Sequence, residues 1–173
     1  MKKNSLKLLI TAAMFLLFAT LTLAQSNKKA DKDTQSWRYE LECVSTGAQG
    51  TYLIKVWSYS KKPTIAIEQA KKNAVHGIIF KGFSGQGAGC TQKPLTSNPA
   101  LEQEKAEFFK EFFADGGKYM KFVNVSGDGT VNAEDRLKVG KEFKIGVVVS
   151  VLTGNLRKDL EAAGIIKSLN SGF

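Results

Sequence analysis

Little in this chain can hold a metal or drive nucleophilic catalysis. It has one histidine, His76, and two cysteines, Cys43 and Cys90, placed 47 positions apart, whereas a structural zinc site needs close cysteine or histidine pairs. A general base needs a nucleophile and an orienting partner within reach, and along a helix His76 has only Lys72, Asn73 and Phe80 as neighbours. It reads as an exposed or half-buried structural histidine. Phosphate-binding loops are missing too. In GFSGQGAGC, residues 82–90, the glycines Gly85, Gly87 and Gly89 are evenly spaced after a helical segment, with neither the G-x-G-x-x-G order ahead of a helix nor a following Gly-Lys-Ser or Gly-Lys-Thr. The nucleophile-elbow order G-x-S-x-G fails because Gly85 comes one position early. No internal repeat and no strand-helix alternation of the doubly wound nucleotide-binding kind is present. No cofactor is expected.

Long apolar runs are equally scarce. The one uncharged run, residues 8–23, stands behind Lys2, Lys3 and Lys7 and ahead of Ala24. It is short of the roughly 20 residues of a membrane span and fits a signal peptide covering residues 1–24. No cysteine follows it to accept a lipid. Its removal takes away three lysines and leaves 149 residues, with 22 Lys and Arg against 16 Asp and Glu, a net charge of +6. One domain, residues 37–173, is expected from that length. Spread over many segments, the charge is first a solubility device; otherwise it favours anionic glycans, lipid headgroups or an acidic protein face. Nucleic acid is not expected as a partner of an exported protein. Residues 25–36, QSNKKADKDTQS, have no apolar residue except Ala30 and read as a disordered tether.

What the chain does have is alternation. In WRYELECVS, Trp37, Tyr39, Leu41 and Cys43 alternate with Arg38, Glu40 and Glu42; after a glycine-rich turn, TYLIKVWSYS gives a second strand, and the pair predicts an antiparallel hairpin. Thr64 is placed to cap a helix whose inward face carries Ile67, Ala70, Ala74 and Ile78. On that reading Lys71, Lys72, Asn73 and His76 face solvent. A second helix is expected from Pro99 to about Ala114, with Leu101, Phe108, Phe109 and Phe112 on one side and Gly116 and Gly117 as its stop. KYMKFVNVS then predicts a third strand, EFKIGVVVSVL a central fourth, and residues 155–163 a closing helix with Gly164 as cap and Ile165, Ile166 and Leu169 folding back. The fold class is α+β, in the order β-β-α-(α)-β-β-α: an antiparallel four-stranded sheet with helices mainly on one face.

The hairpin followed by a helix bearing Ala66, Ala70 and the pair Asn73 and Ala74, residues 37–80 in all, resembles the N-terminal domain of flagellar-assembly protein T and related small envelope lipoproteins. The whole chain resembles exported proteins of Bacteroides-type bacteria. The resemblance implies a non-catalytic role in the envelope, in the periplasm or at the cell surface of a Gram-negative bacterium.

Three sets of residues carry chemistry. In an oxidising compartment Cys43 and Cys90 are a natural disulfide pair. Lys55, Trp57 and Tyr59 share a strand face with Leu53, opposite Ile54 and Val56, so that face is exposed, covered by a helix, or used by a partner. NVSGDGTVNAED places Asn124, Ser126, Asp128, Asn132 and Asp135 at positions one, three, five, nine and twelve of a calcium-loop outline with Gly129 at six. Against calcium, Asn124 replaces the usual Asp, Asp135 replaces a longer bidentate Glu, and a strand precedes; SGDGT is also ordinary turn chemistry. The leading expectation is a non-catalytic exported module that binds an envelope protein or an anionic surface polymer. The alternative is an envelope-glycan hydrolase using paired carboxylates such as Glu40, Glu42 or Asp128, which must face each other across a cleft.

Overall fold

The computed structural model describes residues 37–47, 50–86 and 88–168. The expected signal peptide, the tether and Leu169 lie outside the described residues. Alternation builds the first two strands. β1 (Tyr39–Thr46) and β2 (Thr51–Ser60) pair antiparallel, with Tyr39 opposite Ser58 and Glu42 opposite Lys55, and a bulge between Cys43 and Ser45 shifts the register. α1 (Pro63–Phe80) follows an extended Lys62. Thr64, expected as the cap, lies inside the helix, because proline's fixed φ and missing N–H suit the first helical position.

The glycine-rich stretch is more ordered than an open crossing: β3 (Phe83–Ser84) and β4 (Thr91–Gln92) pair across it as a short hairpin, and the Gly85 N–H donates to the Cys90 carbonyl at 2.7 Å. Cys90 is bonded to Cys43 with the two Cα atoms 5.6 Å apart, so the hairpin is tied to β1 as the pairing predicted. The expected helix over residues 99–114 divides into α2 (Leu101–Glu104) and α3 (Ala106–Phe112) at Lys105, whose φ of −116° and ψ of 34° leave the helical region. With this break, Leu101, Phe109, Phe112 and Phe113 all reach one core cluster.

The third strand is shorter than predicted. Residues Lys118–Phe122 form a 3₁₀ turn, which puts Tyr119 and Phe122, three apart, inside together, and only Val123–Val125 extends as β5. β6 (Arg136–Val139) was not anticipated: it joins β7 (Glu142–Leu152) through a two-residue turn at Gly140, whose φ of +60° suits the first central position of a type II′ hairpin. The sheet therefore has five strands among the described residues, in the order β1-β2-β7-β5 with β6 beside β5 along β7. Its pairings are antiparallel throughout, and β7 is central as expected. α4 (Thr153–Ala162) closes the fold; the N–H groups of Gly164 and Ile165 donate to Glu161 and Leu160, a Schellman ending, and Ile166 packs back.

The α+β class holds, with the helices gathered on one face. Ile54 and Val56 of β2, Ile145, Val147, Val149 and Val151 of β7, Ala66, Ala70, Ala74 and Ile78 of α1, and Leu156 and Leu160 of α4 form one buried cluster. Burying each of the larger aliphatic side chains contributes about 2 kcal/mol by transfer from water. Alanine on the inward side of α1 lets it lie close to the sheet. Its other side is covered too: Phe80 meets Phe109 at 5.1 Å between ring centroids, and His76 meets Phe113 at 6.0 Å. Consequently Lys72 and His76, expected in solvent, are buried, and Asn73, also expected there, is buried against the sheet. Lys72 donates to Asp115 at 3.1 Å, and the Asn73 amide donates to Ser58 Oγ at 2.9 Å. Among the described residues no helix is long and apolar enough to cross a membrane.

Candidate functional site

The sheet face opposite the helices brings Lys55, Trp57 and Tyr59 together, as their shared parity requires. Antiparallel register places Glu40 and Gly146 on either side of Trp57, and Lys144 between Tyr59 and Leu137. A lattice of cations over rings results. The Arg38 guanidinium lies 4.0 Å above the Tyr59 ring and donates to Glu142 Oε2 at 2.7 Å. The Lys144 ammonium stands 5.1 Å from the Trp57 ring and 5.7 Å from the Tyr59 ring, and donates to Glu40 Oε2 at 2.7 Å. The Tyr59 hydroxyl donates to the other oxygen of Glu40 at 2.8 Å. Lys55, 5.6 Å from the Trp57 ring, donates to Asp135 Oδ1 at 2.7 Å.

Trp57 is buried without joining the main core cluster. Its floor is Gly146: a Cβ there would stand 3.0 Å from the indole and 3.2 Å from Asp135 Oδ1, so any side chain would crowd the ring and require it to give by a few tenths of an ångström. Its Nε1–H is buried and makes no hydrogen bond among the described residues. With lysines over the indole and an arginine over the phenol, neither ring is an open platform for sugar stacking. Hydrogen bonds from Lys144 and then Tyr59 hold the Glu40 carboxyl below its usual range, and the bond to Glu40 raises Lys144. These exposed pairs add little stability singly; their effect is to fix the rings. Around them stand half-buried Leu53 and Val148 and the exposed Leu137 and Val139 of β6.

A second constellation escaped sequence reasoning. Trp37 has a φ of +44°, the one positive value at a non-glycine residue among those described, and such strain persists only where the surroundings impose it. Its indole stacks on His76 at 3.6 Å between centroids, its Nε1–H donates to Glu102 Oε1 at 2.7 Å, and its carbonyl accepts from Lys81 at 3.3 Å. The Tyr39 hydroxyl donates to His76 Nδ1 at 2.6 Å, and Nε2–H donates to Glu102 Oε2 at 3.2 Å. Burial, then Lys81, pushes the His76 pKa down to about 3, so the ring is neutral and its contact with Glu102 is a hydrogen bond rather than an ion pair. Burial raises Tyr39 and Glu102. Both ring nitrogens are committed, so this chain of hydrogen bonds pins Trp37 and offers no free base. Its partners lie 26 to 65 positions apart, and no local spacing signals them.

The sign of the resulting pH dependence follows from the unfolded state, where His76 takes a proton below about pH 6.5. Stability is then full at neutral pH and falls by about 2 kcal/mol between pH 7 and pH 5. Glu102, raised by burial in the fold, opposes the trend as it protonates. Urea midpoints of the wild type and of His76→Gln, measured across pH 5 to 7, are expected to show the slope in the former and its loss in the latter; equal slopes would exclude His76 as its source.

The calcium-outline residues have separate employments. Asn124 lies in β5 opposite Ser150, and Asp128, fully exposed, accepts the Thr130 N–H at 2.9 Å; the Thr130 side chain and then that N–H lower its pKa. Asp135 is drawn under the sheet edge to Lys55. Among the described residues no group of three or more His, Cys, Asp or Glu side chains is arranged to hold a metal ion. Compared with family models, curated proteins and solved structures, the chain matches none.

Proposed function

We propose that the protein is a non-catalytic exported module of the bacterial envelope that binds another protein through the open face of its sheet. One observation carries this reading: the described helices pack on one side, while the other presents aliphatic side chains around a preset, charge-balanced lattice of cations, carboxylates and aromatic rings. Preorganised side chains lower the entropy lost on association, and aromatic and arginine residues are the usual anchors of interfaces. Export is supported by the N-terminal apolar run and by the disulfide, which persists in oxidising compartments. The hydrolase alternative draws no support from Glu40 or Asp128, whose carboxyls are held low, whereas a glycosidase acid needs a raised pKa.

A photo-crosslinking residue at Leu53, on the open face, is expected to give a discrete protein adduct in expressing cells. The same residue at the exposed Lys110 of α3 is expected to give none. Adducts at both positions alike, or at neither, would remove the open face as the binding surface.

A further inference from the structure

Within this proposed binding function, we infer that β6 is the docking edge, and that its occupant is an extended segment of another protein in which acidic and apolar residues alternate. β6 pairs only with β7 among the described residues, so its far edge is free. Because Val139 and Glu142 close a two-residue hairpin, they form a hydrogen-bonded pair, and the main-chain groups of Arg136 and Lys138 point away from β7. The Arg136 N–H turns back to the Ala133 carbonyl. Its C=O and both main-chain groups of Lys138 remain for an added strand.

The side chains specify what that strand carries. Leu137 and Val139 stand on the open face at 46% and 47% exposure, two of the four large hydrophobic side chains left exposed among the described residues. Arg136 and Lys138 project on the alternate side, and Lys141 sits in the turn; none of the three makes an ion pair among the described residues. An edge protected only against aggregation needs charge and shortness, and has no use for two bare aliphatic side chains. A partner strand therefore meets apolar positions with apolar residues and the cations with carboxylates. A second copy of the chain fits poorly, since pairing β6 with itself sets cations of like charge opposite one another.

The test is fluorescence anisotropy on the intact, disulfide-bonded protein with three labelled heptapeptides: Asp-Val-Glu-Val-Asp-Val-Glu, its lysine counterpart, and an acidic block peptide of the same composition. Binding of the alternating acidic peptide below 1 mM is expected, with the other two at least about tenfold weaker, the value of roughly one charge-assisted contact. Arg136→Glu/Lys138→Glu is expected to invert the preference towards the lysine peptide, and Lys138→Pro, which removes one outward N–H, to weaken both peptides; unchanged circular dichroism shows that each variant is folded. Equal binding of all three peptides, or a dimer of the protein in place of peptide binding, overturns the inference. If the peptides fail while the Leu53 adduct forms, the open-face reading stands and β6 alone is excluded; if peptides bind without the adduct, β6 takes its strand and the wider open-face reading around Leu53 falls.

Discussion

Replacing both cysteines, Cys43→Ser/Cys90→Ser, is expected to lower the unfolding free energy by about 4 kcal/mol. The bond encloses 47 positions of sequence, and in the chain-entropy account a closed loop of that size removes about this much freedom from the unfolded chain. A domain of this class is stable by only about 5 to 15 kcal/mol, so the loss is a large share. The native ladder of β1 on β2 and the short β3–β4 hairpin do not require the sulfurs, and the variant should keep the wild-type circular dichroism at low temperature. Because the reduced unfolded chain expands, the dependence of stability on urea should steepen as the midpoint falls. A change under about 1 kcal/mol would mean that the unfolded chain is already compact across this loop, and the entropic explanation would be lost.

The second large effect is expected at Lys55. Asp135 is buried, with its carboxylate 2.7 Å from the Lys55 ammonium. Removing the cation in Lys55→Met leaves a buried carboxylate without its counter-ion, at a cost of about 3 kcal/mol. The reverse change, Asp135→Asn, should cost less, because the Lys55 side chain retains 23% exposure and can turn to water. In the double variant Lys55→Met/Asp135→Leu, apolar contact replaces both charges and much of the loss should return. A thermodynamic cycle closed with the single variant Asp135→Leu checks the pairing: additive costs would show that the two side chains act independently.

The elements that could be read from sequence are those with one wet and one dry side. β1, β2 and β7 alternate because each has the helical layer on one face only, and the common parity of Lys55, Trp57 and Tyr59 followed directly. β6 could not be seen that way, since Arg136, Leu137, Lys138 and Val139 are all exposed and no contrast marks its faces. α1 failed in the opposite sense. Covered by the sheet on one side and by the phenylalanines of α3 on the other, it buries Lys72, Asn73 and His76, which a two-sided pattern assigns to solvent. The 3₁₀ turn replaced a predicted strand because Tyr119 and Phe122 satisfy a period of three while Val123 also fits a period of two. The decisive pairs of both constellations, Lys55 with Asp135 and Trp37 with Glu102, are 80 and 65 positions apart. Only the cysteines announced a contact at such range, because their chemistry leaves few alternatives.

That covalent contact also has a mechanical meaning for a pull applied at Trp37. Such tension runs six positions along the chain, into β1, and meets Cys43, where the load passes to Cys90. The enclosed segment, which includes all of β2 and α1, is bypassed. At about 3.5 Å per extended residue, roughly 160 Å of contour stays hidden from the applied force while the bond is intact. Oxidation state thus sets how far the chain can be drawn out.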